Sequence, residues 1–216
     1  MVARRVQVPV AEELLHSEMK TALIIFVKNL HYGQVKTRLA AILGHDQAFE
    51  VYKILLQHTR EISLTINADK FLFYNEKIDN DEWPGIVESQ VQQGDDLGKR
   101  MQNAFEYLFN KKYEKVVIIG SDSMELTDSI IEQSFSELNR TDVVIGPARD
   151  GGYYLLGLKE NNPLLFENIE WSTSRVLEQT IKVCNENNLD FSMLALLNDI
   201  DEAEDWLKAK QALYGE

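Results

Sequence analysis

The chain has 216 residues, enough for one domain with a sizeable core, and is 44 % hydrophobic and 26 % charged, as globular proteins usually are. Its 22 basic and 35 acidic residues give a formal net charge of −13, which argues against a nucleic-acid polymer as partner because phosphate backbones bind basic surfaces. No apolar run reaches the roughly 20 residues of a membrane span. The single cysteine, Cys184, excludes an internal disulfide and favours a reducing, cytoplasmic compartment.

Residues 1–18 differ from the rest of the chain, because they contain an arginine pair but neither the apolar core nor the cleavage site of a signal peptide. Met19 stands directly before the first strong strand pattern. We therefore expect Met19 to be the natural start, residues 1–18 to be a misassigned or mobile extension, and residues 19–216 to form a single domain.

The first predicted strand, residues 21–27, is a continuous apolar run, as found in strands buried on both faces. Apolar residues at helical spacing then predict helices over residues 37–43 and 47–61. Thr37 has the right chemistry to cap the first of these helices.

The loop between this strand and the first helix contains Gly33 and the cations Lys28, Lys36 and Arg38. Cations close to a helix N-terminus favour binding of an anion such as a phosphate group. The loop is not a P-loop, since Val35 stands where that motif requires glycine. The alternative is a solvated basic loop on an acidic protein.

Two further strands are predicted over residues 70–74 and 85–92, followed by a helix over residues 97–109. Asp95 or Asp96 is placed to cap this helix, and capping is the favoured role for both carboxylates.

The next predicted strand, residues 116–119, is fully apolar and ends at Gly120, Ser121 and Asp122. A carboxylate in this position suits Mg²⁺ or Mn²⁺, which prefer oxygen ligands and keep several waters. The alternative is that Asp122 caps the following turn. Thr127 or Asp128 is expected to cap the next helix.

A strand over residues 142–145 leads into a glycine-rich segment, residues 146–158. Asp150, Gly151 and Gly152 lie at its centre, and glycines allow the backbone to approach a bound group closely. A tight turn between two strands is the alternative, because an apolar run over residues 153–158 follows at once.

The C-terminal part predicts a helix from Ser172 or Thr173 to about residue 187, a strand over residues 191–196 and a helix over residues 201–213.

Three residues of this part are candidates for ligand contacts. Trp171 precedes the predicted cap, and Asp199 and Asp201 alternate before the last helix. Asp199 is a candidate second metal ligand, whereas helix capping explains Asp201 equally well.

Alternating strands and helices predict an α/β fold of three layers, α/β/α, around a mostly parallel central sheet. Ligands of such sheets bind at the carboxyl ends of the strands. The polar clusters follow the strands that end at residues 27, 119 and 145, which predicts a single site. The sequence shows no zinc-ligand spacing, no dinucleotide-binding fingerprint and no serine-hydrolase nucleophile elbow.

Several segments together carry a family resemblance: GQVKTRL, QQGDDLGKRM, GSDSMEL, GPARDGGYYLLGL, IEWST and NDID. In order and spacing they resemble the radical-SAM-associated transferases known as arsenosugar-biosynthesis glycosyltransferases, and more distantly the guanylyltransferases of molybdenum-cofactor and phospholactate metabolism. The resemblance implies a nucleotide-diphospho-sugar transferase fold, of the GT-A type, with a divalent metal, Mg²⁺ or Mn²⁺. Lys28, Lys36 and Arg38 would contact nucleotide phosphates, Asp122 would bind the metal, and the segment from Asp150 to Gly152 would line the acceptor or sugar side.

We therefore expect a metal-dependent transferase that uses a nucleotide sugar and a small-molecule acceptor, with Asp150 orienting or deprotonating the acceptor hydroxyl. The alternative is a nucleotidyltransferase that uses a nucleoside triphosphate and releases pyrophosphate. A third interpretation is an inactive nucleotide-binding domain, supported by Ser123 and Met124, where the family usually has a Cys-Pro pair. A homodimer is compatible with each.

Overall fold

The structure, a computed structural model, describes residues 19–78 and 83–215. The expected N-terminal extension, residues 1–18, lies outside this part. The strands are β1 (Thr21–Val27), β2 (Asp69–Tyr74), β3 (Ile86–Val91), β4 (Lys115–Ile119), β5 (Val143–Pro147), β6 (Tyr153–Leu158) and β7 (Phe191–Met193). The helices are α1 (Thr37–Leu43), α2 (His45–Leu64), α3 (Leu97–Asn110), α4 (Asp128–Glu137), α5 (Val176–Glu186) and α6 (Ala203–Tyr214), with a short 3-10 helix at Pro163–Phe166.

The seven strands form one sheet in the order β3-β2-β1-β4-β6-β5-β7. Strand β1 pairs in parallel with β2 and β4, β2 with β3, and β5 with β7. Only β6, among these seven, runs antiparallel to its neighbours, β4 and β5. The predicted α/β fold with a mostly parallel sheet is therefore confirmed.

Strand β1 shows why the sheet lies in the middle of the molecule. Its side chains alternate between two cores, with Ala22 and Ile24 on one face and Leu23 and Ile25 on the other, all fully buried. Because alternate residues of a strand point to opposite faces, a continuous apolar run needs a covering layer on both sides.

Helices provide these two layers. On one face α3, α5 and the 3-10 helix contribute buried side chains such as Phe105, Leu165 and Cys184. On the other face α4 contributes Ile131, and α1, α2 and α6 pack together around Leu55. None of the described helices combines the length and apolar character that crossing a bilayer requires.

Two predicted caps are confirmed. Asp96 accepts a hydrogen bond from the backbone N–H of Lys99 at the start of α3, and Thr127 accepts one from Ile130 at the start of α4. Helix α4 therefore has its own cap, and Asp122 does not cap this helix.

Two other predicted caps are wrong, and so is the capping alternative for Asp201. Helix α1 follows Lys36 and has no side-chain cap, so Thr37 lies within the helix. Helix α5 begins at Val176, later than expected, because the hydroxyl of Thr173 donates to the carbonyl of Glu170 in the preceding turn. Helix α6 is capped by a capping box of Glu202 and Asp205, which leaves Asp201 for other contacts. The strand expected over residues 191–196 is also shorter and ends at Met193.

Candidate functional site

A cavity of about 580 Å³ opens at the sheet edge where β1, β2 and β4 end and where the antiparallel β6 begins. Parallel strands place their carboxyl ends, and the loops that follow them, at one edge. Nine of the residues predicted for the site line this cavity: Lys28, Arg38, Gly120, Ser121, Asp122, Asp150, Gly152, Trp171 and Asp199. Gly33, Lys36 and Gly151, which were also predicted, are not among the lining residues.

Lys36 does not line the cavity but is joined to two carboxylates that do. Its Nζ lies 2.5 Å from Asp122 Oδ1 and 3.3 Å from Asp201 Oδ1, and its side chain is only 4 % exposed. Asp201 Oδ2 also accepts a hydrogen bond from Arg38 at 2.8 Å. Two of the predicted phosphate-binding cations are therefore linked to the acidic residues of the same site.

The backbone of Lys36 holds this arrangement. Its φ and ψ are both 48°, a left-handed conformation that is uncommon for residues other than glycine and concentrates at functional sites. Its carbonyl accepts the first hydrogen bond of α1, from Ala40. Helix α1 thus begins directly at the residue that carries the buried ammonium.

The charges of this cluster support one another. Burial disfavours the charged form of Lys36, but Asp122 and Asp201 outweigh it and raise the pKa of the ammonium above its ordinary value. Burial likewise opposes ionisation of Asp122, but the charges of Lys36 and Lys28 lower the pKa of its carboxyl. Both groups of the Lys36–Asp122 pair are therefore charged at neutral pH.

Backbone hydrogen bonds fasten the loop after β4 to the segment before α6. The N–H of Ile200 donates to the carbonyl of Asp122 at 2.8 Å, and the Ser123 hydroxyl donates to the carbonyl of Asn198 at 2.7 Å. These bonds bring Asp122 and Asp199, 77 positions apart in the sequence, into one site.

Asp199 has the chemistry of a metal ligand. Its Oδ1 is buried and has no hydrogen-bond partner in the described part of the chain. Burial, followed by the negative charges of Asp122 and Asp150, raises the pKa of Asp199 to about 7. A buried carboxylate oxygen without a partner is costly, and a divalent cation would satisfy it.

The carboxylates present fit Mg²⁺ or Mn²⁺ better than zinc. Within residues 19–78 and 83–215 there is no group of three or more His, Cys, Asp or Glu side chains arranged to hold a metal. Asp122 and Asp199 would offer hard oxygen ligands. A magnesium ion usually takes one or two carboxylates and fills its other positions with water and substrate phosphate.

The glycine-rich segment forms the turn between β5 and β6, as the alternative interpretation expected, and also presents Asp150 to the cavity. The N–H of Gly152 donates to Asp150 Oδ1 at 2.8 Å, which orients the carboxylate. Gly151 has a φ of +88°, and a Cβ there would lie 2.1 Å from the carbonyl oxygen of Ser174. Gly151 therefore shapes the turn, whereas Asp150 and Gly152 line the cavity.

Trp171 lines the cavity and also packs against the hydrophobic core. A Cβ on Gly98, in the first turn of α3, would lie 2.1 Å from its indole ring, so α3 and the indole are in direct contact. The rings of Phe166 and Tyr153 flank it at centroid distances of 6.4 Å. These contacts hold the indole where it lines the cavity.

The first two residues of the loop after β1 are anchored by hydrogen bonds. The Tyr52 hydroxyl accepts a hydrogen bond from the N–H of Lys28 and donates to its carbonyl, at 2.8 and 3.0 Å. The buried amide of Asn29 accepts hydrogen bonds from the N–H groups of Glu76 and Lys77. Gly33, with a φ of +78°, shapes the turn of this loop.

The lining residues that were not predicted from the sequence include the polar side chains of Asn75, Gln92 and Arg100. Gln92 Nε2 donates to the carbonyls of Val27 and Phe73, and Arg100 Nε donates to the carbonyl of Gly94. Asn75 and Gln92 directly follow β2 and β3. The rule that ligands bind at the carboxyl ends of the strands could therefore have found these two residues.

Comparisons with known proteins agree with this fold. The sequence profile of DUF2064, a family of uncharacterized proteins conserved in bacteria, matches residues 55–173. The chain is 30 % identical to a crystallised protein from Desulfovibrio desulfuricans G20 described as a proposed nucleotide-diphospho-sugar transferase. The match covers 91 % of this chain and 88 % of that one, with a TM-score of 0.83. No curated protein matches the chain in sequence.

More distant structures share the fold alone. The inositol-1-phosphate CTP transferase from T. maritima is 14 % identical, with a TM-score of 0.53 and coverage of 87 % of this chain and 91 % of that one. Rv0371C from Mycobacterium tuberculosis H37Rv, solved in complex with manganese, is 10 % identical, with a TM-score of 0.51 and coverage of 90 % and 100 %. The profile match spans more than half of the chain, and the chain therefore belongs to the DUF2064 family.

Proposed function

We propose that the protein is a nucleotide-dependent transferase, and specifically a glycosyltransferase that moves a sugar from a nucleotide sugar to a small-molecule acceptor. The observation that carries this proposal is the cluster of Lys36, Asp122 and Asp201 beside a cavity at the carboxyl edge of the sheet. The similarity to the Desulfovibrio protein supports the donor class.

The cations of the site suit a diphosphate. Lys28 and Arg38 line the cavity, and Lys36 is paired with the lining residues Asp122 and Asp201. Since Arg38 is paired with Asp201 and Lys28 acts on Asp122, the three cations would share one phosphate-binding region. Gly120 adds an open stretch of backbone, because nothing lies within 4 Å of the position where its Cβ would be. Ser121 continues this wall of the cavity. Charge-assisted hydrogen bonds from these groups would stabilise a departing nucleoside diphosphate.

Asp122 and Asp199 would hold the divalent metal. When bound, such an ion neutralises phosphate charge on the donor and on the leaving group. Lys36 and Arg38 supply positive charge to the same region from the protein side, through their contacts with Asp122 and Asp201.

Asp150 is the proposed group that orients the acceptor and receives its proton. The acceptor oxygen would form a bond to the anomeric carbon while the bond to the diphosphate breaks with its electron pair, and the hydroxyl proton would pass to Asp150. Gly152 fixes the carboxylate for this role, because its N–H bonds one oxygen and leaves the other available. Gly151 sets the turn, and Trp171 provides a flat wall beside it.

The second candidate is a nucleotidyltransferase, favoured by the fold shared with the CTP transferase of T. maritima. Its reaction would use a nucleoside triphosphate and release pyrophosphate. The same cations and metal ligands would then stabilise the departing pyrophosphate.

A thermal-shift screen tests both candidates. Nucleoside di- and triphosphates and nucleotide sugars would each be added with and without Mg²⁺ or Mn²⁺, since a ligand that binds the folded state raises the melting temperature. A metal-dependent shift with one nucleotide sugar supports glycosyl transfer, and turnover should then release a nucleoside diphosphate. A shift with triphosphates alone, with release of pyrophosphate, supports the second candidate.

A further inference from the structure

Tyr52, on α2, contacts two loops of the site although it is not among the residues that line the cavity. Its hydroxyl accepts a hydrogen bond from the N–H of Lys28 at 2.8 Å and donates one to the carbonyl of Lys28 at 3.0 Å. It also lies 3.5 Å from the hydroxyl of Ser121. Lys28 directly follows β1, Ser121 follows β4, and both residues line the cavity. One side chain of α2 thus touches both of the loops that carry proposed phosphate contacts.

The Tyr52 hydroxyl takes the place of strand neighbours that Lys28 lacks. The pairing of β1 with β4 ends at Ile25, and its pairing with β2 ends at Val27, so the backbone of Lys28 lies beyond both ladders. Backbone N–H and C=O groups need hydrogen-bond partners in a folded protein. Tyr52 supplies a partner for both groups of Lys28, and it thereby fixes the course of the chain where it leaves the sheet.

The ring of Tyr52 is held by the core. The residue is 1 % exposed and belongs to a buried apolar cluster that also contains Val35 and Ile200. These two residues adjoin Lys36 and Asp199 in the chain. Because core side chains are closely packed and have little room to shift, the hydroxyl of Tyr52 is a fixed point to which the loop after β1 is tied.

Lys28 depends on its backbone more than the other two cations of the region do. Lys36 and Arg38 are paired with carboxylates, whereas the ammonium of Lys28 forms no salt bridge among the residues that the structure describes. It is still close enough to Asp122 to stabilise the negative charge of that carboxylate. An ammonium without a fixed partner takes its position from the backbone that carries it, which here is bound by Tyr52.

We infer that Tyr52 is a positioning residue, whose hydroxyl sets the backbone of Lys28 so that its ammonium meets a diphosphate beside Asp122. Tyr52 itself would touch neither substrate nor metal, and would act through Lys28 and Ser121. This inference rests on the proposed function, because only a phosphate ligand would use the Lys28 ammonium. Without the hydroxyl, the ring would keep its place in the core, but the ligand would have to order the loop after β1 on binding, which costs affinity.

Tyr52→Phe tests the inference, because phenylalanine keeps the ring and removes only the hydroxyl. The matched control is Tyr113→Phe. Tyr113 is buried and its hydroxyl donates to Asp69 at 2.6 Å, near the opposite edge of the sheet, where β2 and β4 begin. Each variant loses one tyrosine hydroxyl and its hydrogen bonding, so an effect of lost stability alone appears in both.

The probe is inorganic pyrophosphate with Mg²⁺, because a diphosphate group leaves in both candidate reactions. Isothermal titration into the full chain measures its affinity. We expect Tyr52→Phe to weaken binding by roughly five-fold, the scale of one lost hydrogen bond, and Tyr113→Phe to leave it unchanged. Amide hydrogen exchange gives a signal that needs no ligand, since the N–H of Lys28 should exchange faster in Tyr52→Phe and not in Tyr113→Phe.

A double-mutant cycle shows whether Tyr52 acts through Lys28. Lys28→Gln should weaken pyrophosphate binding by about ten-fold in the unmodified protein, the scale of a hydrogen bond to a charged group. Its effect should be smaller in the Tyr52→Phe background, because residues that act together are not additive. A merely structural role of Tyr52 predicts the same effect of Lys28→Gln in both backgrounds.

Three results would overturn the inference alone: unchanged pyrophosphate affinity of Tyr52→Phe, additive effects in the cycle, or an unchanged exchange rate at Lys28. A different result contradicts the proposed function. If the unmodified protein binds neither pyrophosphate nor any nucleotide of the screen, the proposed function fails, and the positioning role of Tyr52 fails with it.

Discussion

The ammonium of Lys36 lies 2.5 Å from the carboxylate of Asp122, the residue with the strongest claim to bind a metal. The Lys36 ammonium therefore lies beside the carboxylate that we propose as the metal ligand, in the region where we propose that the nucleotide phosphates bind. Asp201 contacts the same ammonium at 3.3 Å, so Lys36 has two carboxylate partners in the folded protein. We therefore expect substitutions in this pair to change both the free energy of unfolding and nucleotide binding.

Replacing Asp122 with asparagine should abolish metal-dependent nucleotide binding, because the amide cannot supply the ligand charge. The structure adds a stability cost, since the nearly buried Lys36 loses one of its two carboxylates. We expect the free energy of unfolding to fall by about 1–2 kcal/mol, measured by urea denaturation. Glu132→Gln, on the exposed side of α4, is the charge-matched control. Unaltered metal-dependent binding would remove Asp122 from the site.

Replacing Lys36 with alanine should weaken nucleotide binding by roughly 1.5–3 kcal/mol, the scale of a hydrogen bond to a charged group. Isothermal titration of the nucleotide identified by the screen measures this effect. Lys53→Ala provides the control, because Lys53 is paired with Glu50 on α2. Equal affinity of both variants for the nucleotide would show that Lys36 serves the fold and not the ligand.

Asp199 should make the stability of the metal-free protein depend on pH. Its pKa of about 7 in the folded state exceeds the ordinary value of 3.8, so between these values only the folded state holds the proton. The free energy of unfolding should therefore fall as pH rises through this range, with a slope approaching about 1.4 kcal/mol per unit, and level off above pH 7. Urea denaturation in the presence of a chelator measures the slope.

Asp199→Asn is the matching variant for this titration, because it keeps the shape of the side chain and cannot ionise. The difference in stability between the variant and the unmodified protein should carry the pH dependence. A difference that stays constant from pH 4.5 to pH 8 would contradict the assignment.

Two glycines at the site should respond differently to alanine. Gly151→Ala should destabilise the protein by about 2 kcal/mol or more, because its φ is +88° and the new Cβ meets the carbonyl of Ser174. Gly120→Ala has open space and should leave the free energy of unfolding within about 1 kcal/mol. Thermal denaturation compares the two. Weaker nucleotide binding by a stable Gly120→Ala protein would show that the ligand approaches this backbone.

Local pattern predicted the regular elements well. The apolar run of β1 and the helical spacing of α1 match the structure at both ends, since nothing competes with burial in these segments. The predicted cap of α5 was wrong because a threonine hydroxyl can either cap a helix or bond within a turn. The hydroxyl of Thr173 donates to the carbonyl of Glu170 in the preceding turn. The predicted start of α6, at residue 201, is two residues too early. Asp201 instead binds Lys36, a partner 165 positions away in the sequence.

The sequence by itself determined the α/β fold and the edge of the sheet where the site would lie, because hydrophobic periodicity and the position of polar loops after strands are local properties. Tertiary structure decided which of those polar residues meet. It paired Lys36 with Asp122 and Asp201, and it left an oxygen of Asp199 without a partner in the described part of the chain. These relations depend on contacts between residues far apart in the sequence, which no local pattern contains.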